Sequence, residues 1–120
     1  MSLPDGPLTG IAVTDLSNSV SGAWCSRLLA DYGADTTMIE ELTGHMVRDL
    51  NPRTAEGTGV LEEWFLANKR SMSCEPTDED SRARALTRVI NSDIVILPER
   101  NSSLERMMTG LEPSTQVRVS

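Results

Sequence analysis

Residues 10–39 read GIAVTDLSNSVSGAWCSRLLADYGADTTMI, and the order of apolar and polar residues along them decides the fold. Gly10–Leu16 is a short, mostly apolar run that begins at a glycine. Such runs are typical of strands that are buried on both faces of a parallel sheet. Ser17–Gly22 follow with small polar residues, which can cap a helix or let the backbone come close to a ligand. The stretch therefore predicts a strand that leads through a tight turn into a helix.

The helix is predicted from four large residues spaced by three and four positions, which are interpreted as its apolar face: Trp24, Leu28, Leu29 and Tyr32. Gly33 lies where a helix usually ends. Thr36–Ile39 is the next candidate strand, and two glutamates follow it. The predicted order is strand, turn, helix, strand.

Residues 42–59 are polar and contain one proline and three glycines, so they predict a long and mobile loop inside the domain. Loops of this length within compact domains are often functional. Val60, Leu61, Trp64 and Phe65 come next and predict a brief helical turn that anchors the loop to the core.

Strands and helices continue to alternate after the loop. The predicted elements are a strand at Ser71–Cys74, a helix that begins at Thr77 and carries the apolar stripe Ala85, Leu86, Val89 and Ile90, a strand at Asp93–Leu97, a short helix at Ser103–Met108 and a last strand at Gln116–Val119. This alternation predicts an α/β fold with a doubly wound, mostly parallel sheet. The length of 120 residues fits one domain.

The chain is acidic, since 11 basic and 18 acidic side chains give a net charge of −7. Nucleic acid is therefore not an expected partner, because phosphate neutralisation needs clustered Lys and Arg. The sequence has neither an apolar run long enough for a membrane span nor the pattern of a secretion signal. Cys25 and Cys74 have no metal-type spacing and are interpreted as buried thiols in a reducing cytoplasm. We expect a cytoplasmic protein without a membrane partner or a metal.

Two segments are candidate binding sites because open α/β sheets bind ligands beyond the carboxyl ends of their strands. They are Ser17–Gly22 after the first strand and Pro98–Ser103 after the fourth. At the first, free backbone N–H groups and the helix dipole favour an anion. The glycine pattern is not the dinucleotide fingerprint, and no P-loop is present, so an NAD site is not expected.

Basic residues gather at Lys69-Arg70 and at Arg100 with Arg106, and either pair is a phosphate ligand or a solvated surface charge. His45 in the long loop is interpreted as a bystander, because a general base needs an orienting partner. Asp15 at the end of the first strand is either catalytic or a cap of the neighbouring turn. No nucleophile, base and orienting group occur together in the pattern. The residues alone indicate an α/β domain that binds a small anion.

Four segments carry a more specific resemblance: LTGIAVTDLSNSVSGAWCSRLLADYGADTTMIEE from residue 8, WFLANKRSMSC from residue 64, ALTRVINSDIVI from residue 85 and SLERMMTGLEP from residue 103. They resemble, in order and with the usual spacing, the opening of the family III CoA-transferases, the carnitine-dehydratase and bile-acid-inducible group. The LADYGAD and NKRS motifs are the most specific parts of this match.

The resemblance implies a Rossmann-like large domain, of which residues 1–120 would be the N-terminal part, followed by a smaller second domain. Members pair as interlocked dimers and move CoA between carboxylic acids through covalent intermediates on an aspartate. A racemase branch instead moves a proton beside the thioester. The residues with these catalytic roles follow later in the family pattern than residue 120, so no catalytic residue is assigned in this chain. Alone it is not expected to be a complete enzyme.

The resemblance also implies where CoA or acyl-CoA binds, as a substrate rather than as a tightly held cofactor. By position, the contacts are Val20 and Ser21 in the first turn, Cys74 and Glu75 after the third strand, and Arg106 in the fourth helix. Homodimerisation or self-association is expected, because a partial sheet would expose apolar surface.

The chain departs from the family pattern at several positions, and one of these segments keeps two alternatives open. Where the family has E-N-F-x-P-G, this chain has Leu97–Ser102, in which Glu99 adds negative charge and Pro98 lacks a backbone donor. A diverged, non-catalytic copy with a role in assembly is the first alternative. A free-standing module for another small ligand is the second.

Overall fold

The computed structural model describes residues 5–109, 111 and 116–119. Its elements follow in the order β1 (Ala12–Asp15), α1 (Val20–Asp31), β2 (Asp35–Glu40), a 3₁₀ helix (Met46–Asp49), α2 (Val60–Leu66), β3 (Lys69–Ser73), α3 (Glu79–Ile90), β4 (Ile94–Ile96), α4 (Ser103–Met107) and β5 (Val117–Val119). The predicted alternation of strands and helices is confirmed. Gly110, Glu112 and Pro113 of the last resembling segment lie outside the described residues.

The five strands form one sheet in the order β3-β2-β1-β4-β5, and all neighbours are parallel. β1 lies at the centre, where Val13 pairs with Thr36 of β2 on one side and with Ile94 of β4 on the other. From β1 the chain first builds β2 and β3 on one side, and it later returns to place β4 and β5 on the other side of β1. This reversal creates a crevice at the carboxyl ends of β1 and β4, the usual ligand position in open α/β sheets.

Helices cover both faces of the sheet, which confirms the doubly wound arrangement. On one face, α3 and α4 pack over a continuous apolar cluster composed of Leu16, Ile39, Cys74, Ala85, Val89, Val95, Leu104 and Met108. On the other, α1, α2 and the 3₁₀ helix contribute a smaller cluster of Ala23, Val47 and Phe65. Burial of these side chains is the main favourable term holding the layers together.

The predicted apolar face of α1 exists but does not pack on the sheet. Trp24, Leu28 and Tyr32 are 47%, 41% and 56% exposed, whereas the side of α1 against the sheet carries small residues, namely Gly22, Ala23, Ser26 and Ala30. Small residues let a helix approach the sheet closely, and the large residues are thereby turned outward. Spacing by three and four identified an apolar stripe but not the stripe that packs on the sheet.

The outward stripe of α1 meets α2 at an aromatic contact. The rings of Trp24 and Trp64 stack with centroids 4.8 Å apart, and Phe65 lies edge-on to both. Arg27 covers the Trp64 ring at 4.5 Å and donates a hydrogen bond to the Trp64 carbonyl. α1 therefore uses its large residues to hold α2 and the loop before it.

The segment 42–59 is more structured than the loop predicted for it. It contains the 3₁₀ helix Met46–Asp49, the buried residues His45 and Val47, and an antiparallel bridge between Arg53 and Gly59. The predicted anchor after it is confirmed, because α2 begins at Val60 and buries Phe65.

Two further predictions are corrected in part. β3 begins at Lys69, two residues before the predicted start, and Lys69 is only 8% exposed. Its ammonium group donates to the carbonyl of Ala23 in α1 at 2.8 Å. Cys74 is buried as predicted, but Cys25 is partly exposed. Burial raises the pKa of both thiols above the ordinary cysteine value.

Candidate functional site

The turn between β1 and α1 is held by a fully buried carboxylate. Asp15 accepts hydrogen bonds from the Ser17 backbone N–H at 2.8 Å, from the Ser17 hydroxyl at 2.6 Å and from the Ser26 hydroxyl at 2.6 Å. Of the two interpretations of Asp15, the structure supports the turn cap. A Cβ atom on Gly22 would overlap the Ser17 hydroxyl, so only glycine fits the first turn of the helix without rearrangement.

The first turn of α1 presents unused donors at the carboxyl edge of the sheet. The Ser19 hydroxyl caps the helix by accepting from the Gly22 N–H at 3.1 Å. The N–H groups of Val20 and Ser21 have no acceptor within the described ranges, as is usual at a helix N-terminus. Together with the dipole of a twelve-residue helix, they favour an anion at this position.

A groove of about 420 Å³ runs between this turn and the loop after β4. Ser19, Ser21 and Cys25 line one wall, and Pro98 and Arg100 line the other. The two segments singled out from the sequence thus face each other across one groove. Its hydroxyl, backbone N–H and guanidinium groups are those that bind phosphate.

Glu99 reaches from the β4 loop into the same region. Both of its carboxylate oxygens accept from the Asn18 backbone N–H at 2.9 Å, one residue before the Ser19 cap. An anion of the protein itself therefore already occupies one of the donors at the entrance to α1. A ligand phosphate at that N–H would have to displace Glu99.

A second pocket, of about 200 Å³, lies at the carboxyl ends of β1 and β2 and beside α4. We call it the His45 pocket. Leu16, Ile39 and Leu104 form its apolar lining, and its polar lining consists of Ser17, Asn18, Glu40, Glu41, Gly44, His45, Glu99 and Ser102. An apolar pocket with a few convergent polar groups at this edge of an α/β sheet is a typical small-ligand site.

His45 is the most buried polar group of this pocket, with 1% of its surface exposed. Its Nδ1 accepts from the Val47 N–H at 3.1 Å and so caps the 3₁₀ helix. Because Nδ1 is the acceptor, the neutral ring carries its proton on Nε2. Nε2 has no hydrogen-bond partner among the residues that the structure describes. His45 is thus a buried helix cap within the loop, and its interpretation as a bystander in catalysis stays a prediction.

The charge state of His45 follows from its surroundings. Burial lowers its pKa below the usual 6.5, the carboxylates Asp15, Glu40 and Glu99 oppose this shift, and Lys69 adds to it. The ring is therefore neutral at pH 7.

Glu40 joins β2 to the 3₁₀ helix through an ion pair. It accepts from Arg48 Nη2 at 2.6 Å and Nε at 3.0 Å, from the Ser71 hydroxyl at 2.5 Å and from the His45 N–H at 2.6 Å. Burial alone would raise the pKa of Glu40, but these hydrogen bonds outweigh it and lower the pKa to about 2. Arg48 also binds Glu62 of α2 at 3.0 Å. Glu40 is thus a support of the pocket wall and has no lone pair left for a ligand.

The five residues expected to contact CoA lie along the same edge of the sheet but not in one pocket. Val20 and Ser21 are exposed at the start of α1, and Ser21 lines the groove. The Cys74 sulfur is buried 3.6 Å from the Met107 sulfur, so its side chain faces the core. Glu75 accepts from the Thr77 hydroxyl at 2.8 Å, in the turn before α3.

Arg106, the fifth of these residues, is exposed on α4. It donates to the Asn101 carbonyl at 3.2 Å and so supports the loop after β4. His45 was missed as a lining residue, because its N-cap position before Met46 appears only in the fold and no local sequence pattern indicates it.

No group of three or more His, Cys, Asp or Glu side chains is arranged to hold a metal ion in the described part of the chain. Among the described helices, none combines the length and the apolar character needed to cross a bilayer.

Comparison with known proteins gives consistent results along nearly the whole chain. The family model described as CoA-transferase family III matches residues 8–118. An acyl-CoA transferase of Fusarium pseudograminearum is 30% identical over 120 residues, which are 92% of this chain and 26% of that protein. A succinyl-CoA:mesaconate CoA-transferase of Haloarcula hispanica is 28% identical over 111 residues, or 89% of this chain and 28% of that protein.

Solved structures agree with the sequence comparison. A CAIB/BAIF family protein from Brucella suis superposes with a TM-score of 0.72 at 26% identity, covering 88% of this chain and 29% of that one. The chain spans about a quarter of the length of the curated relatives it matches.

Proposed function

Because the chain belongs to CoA-transferase family III, we propose that it is the CoA-binding, N-terminal portion of an enzyme that moves CoA between carboxylic acids. The catalytic aspartate of that enzyme would lie outside these 120 residues, and the portion alone would be inactive. CoA or an acyl-CoA is the proposed substrate, without a tightly bound cofactor.

The observation that carries this proposal is the groove between the first turn of α1 and the loop after β4. This groove lies at the carboxyl edge of a parallel sheet. It is lined or bordered by free N–H groups at Val20 and Ser21 and by the Arg100 guanidinium. A diphosphate needs several donors of this kind. Glu75 and the carbonyl of Cys74 lie farther along the same edge, where an extended ligand could continue.

Arg106 is proposed to act at the same edge from α4. Its hydrogen bond to Asn101 leaves the other guanidinium nitrogens free to bind phosphate, within the described part of the chain.

A specific observation also favours the second candidate, a diverged portion that serves assembly rather than catalysis. Glu99 already binds the Asn18 N–H, and its negative charge opposes a polyphosphate. Loss of ligand contacts with retention of the fold is expected of such a copy.

Calorimetry with CoA on the chain and on Glu99→Gln distinguishes the two. If the groove binds CoA, the variant should bind it more tightly by about threefold to tenfold, because one competing charge is removed. Glu63→Gln is the matched control, since it removes the same charge from the exposed surface of α2 and should leave the affinity unchanged. No heat with CoA in any of the three proteins would contradict the proposal and favour the assembly role.

Assembly and location complete the proposal. We propose a homodimer in the cytoplasm, supported by the exposed apolar side chains of Trp24, Leu28 and Tyr32. A concentration-independent monomer in sedimentation equilibrium would contradict self-association of this chain.

A further inference from the structure

One carboxylate joins the two walls of the groove between the β1–α1 turn and the loop after β4. Both oxygens of Glu99 lie 2.9 Å from the Asn18 backbone nitrogen and share its N–H. Among the described residues, no other hydrogen bond connects Ser17–Gly22 with Pro98–Ser102. The approach of these two walls in the empty groove is therefore held, as far as hydrogen bonds are concerned, by one side chain.

The wall formed by the β1–α1 turn is held in place from below and from the side. The buried Asp15 carboxylate accepts from the Ser17 N–H at 2.8 Å and from the Ser17 hydroxyl at 2.6 Å. The side-chain oxygen of Asn18 accepts from the Met46 N–H at 2.8 Å, which ties the turn to the 3₁₀ helix. The donor that Glu99 uses therefore belongs to a fixed support.

The loop after β4 is held differently, because its other hydrogen bonds lie within the loop or lead to α4. The Asn101 N–H donates to the Glu105 carboxylate at 3.2 Å, and the Asn101 carbonyl accepts from Arg106 at 3.2 Å. Glu99 itself is exposed to solvent. Exposed polar contacts contribute little net free energy, so this one can be broken at small cost. The loop is thus the wall that can move.

We propose that Glu99 is a releasable latch, which occupies the Asn18 N–H while the groove is empty and gives way when a ligand anion takes that donor. A carboxylate and a phosphate compete for the same N–H beside a helix N-terminus, because both bind there as anions. Release of Glu99 also frees the loop that carries the neighbouring Arg100 of the groove. That CoA supplies the displacing anion rests on the proposed function, whereas the latch rests on the contacts of Glu99.

A latch and a simple charge effect predict different results for Glu99→Asp. This variant keeps the negative charge but shortens the side chain by one carbon–carbon bond, about 1.5 Å, which takes the carboxylate out of hydrogen-bonding distance of the N–H. Glu63→Asp is the matched control, because it shortens an exposed carboxylate of α2 in the same way. Since both side chains are exposed, we expect both variants to fold, and melting curves check this.

Amide hydrogen exchange tests the latch in the protein without ligand. We expect the Asn18 amide to exchange about threefold to tenfold faster in Glu99→Asp than in the unchanged chain, as for the loss of one exposed hydrogen bond. In Glu63→Asp the rate should not change. Equal rates at Asn18 in the three proteins would overturn the proposal.

A titration with inorganic pyrophosphate, followed at the Asn18 amide signal, tests the release. We expect Glu99→Asp to bind pyrophosphate about threefold to tenfold more tightly than the unchanged chain, although the two proteins carry the same charge. Glu63→Asp should bind it as the unchanged chain does. Equal affinities in all three would show that Glu99 acts through its charge alone and would overturn the latch. An Asn18 signal that pyrophosphate moves in none of them would overturn it too.

The result for CoA is read separately. Heat from CoA in calorimetry, together with equal exchange rates or equal pyrophosphate affinities, would overturn the latch and leave the proposed function intact. Faster exchange and tighter pyrophosphate binding in Glu99→Asp, without any heat from CoA, would support the latch and contradict the proposed function. Failure of all three measurements would overturn both.

Discussion

On the α3 side of the sheet, helices and strands meet through a continuous cluster of apolar side chains, whereas on the α1 side they meet through small residues and buried hydrogen bonds. Val89 and Leu16 represent the first kind of contact. Asp15, with its three donors, and Lys69, bound to the Ala23 carbonyl, represent the second. Apolar packing is non-directional and tolerates repacking, but buried polar contacts fail when one partner is removed. The α1 side, which carries the binding groove, is therefore also less tolerant of substitutions than the α3 side.

The largest effect is expected from Asp15→Ala. It leaves the Ser17 N–H and the Ser17 and Ser26 hydroxyls without their buried acceptor, so we expect a loss of about 3–5 kcal/mol in the free energy of unfolding. Urea denaturation measures it. The matched control is Asp93→Ala, since Asp93 also accepts a backbone N–H, from Ala12 at 2.9 Å, but in an exposed setting. Equal losses in both variants would remove the distinction between the two sides of the sheet.

A smaller effect is expected on the α3 side from Val89→Ala. The substitution removes two methyl groups from the apolar cluster, and we expect a loss of about 2 kcal/mol, with no polar group left unsatisfied. Ile90→Ala is the control, because Ile90 is the next residue of α3 and is 59% exposed. A loss larger than that of Asp15→Ala would reverse the comparison.

The smallest effect, counted per pH unit, is a pH dependence that belongs to the α1 side. Burial lowers the pKa of Lys69 to about 8, with Asp15 opposing this shift and Arg27 adding to it, from the ordinary value of 10.5. Between these two values the unfolded chain holds a proton that the folded chain has released. This contribution therefore stabilises the folded state as pH rises from 8 to 10.5 and is lost as pH falls through 8.

The slope can reach at most about 1.4 kcal/mol per pH unit. Cys25 and Cys74, whose pKa values are raised, act in the opposite direction over the same range. The measurement is therefore the difference in unfolding free energy between the chain and Lys69→Met at pH 7.5, 9 and 10. Parallel pH curves for the two proteins would show that the amine does not titrate as described.

The two sides also differ in how far they could be predicted. The α3 side follows simple rules, because the apolar strand at Ile94–Ile96 and the stripe on α3 are visible as patterns. Ala85 and Val89 of that stripe are buried as expected, whereas Ile90 is 59% exposed. The inner face of α1 is formed by Gly22, Ala23 and Ser26, which carry little hydrophobic signal. Their burial depends on the close approach of helix and strand, and Trp24 is turned outward toward an α2 partner 40 residues away in the chain.

The candidate site was predictable to a similar degree. The two facing segments of the groove follow from the rule that ligands bind at the carboxyl ends of parallel strands. The burial of His45 does not, because it depends on a hydrogen bond from the His45 N–H to the Glu40 carboxylate and on one from the Met46 N–H to the Asn18 side chain. These contacts join three segments of the chain, and no local sequence pattern shows that the three lie close together in the fold.

Lys69 is also the only lysine of the sequence, so the chain carries its one side-chain amine beneath a helix. Reagents that acylate lysine need a free and accessible amine, which the folded state does not offer. Their rate of reaction at this residue would report how often α1 lifts from the sheet. A labelling method normally used to map protein surfaces would here become a probe of internal motion.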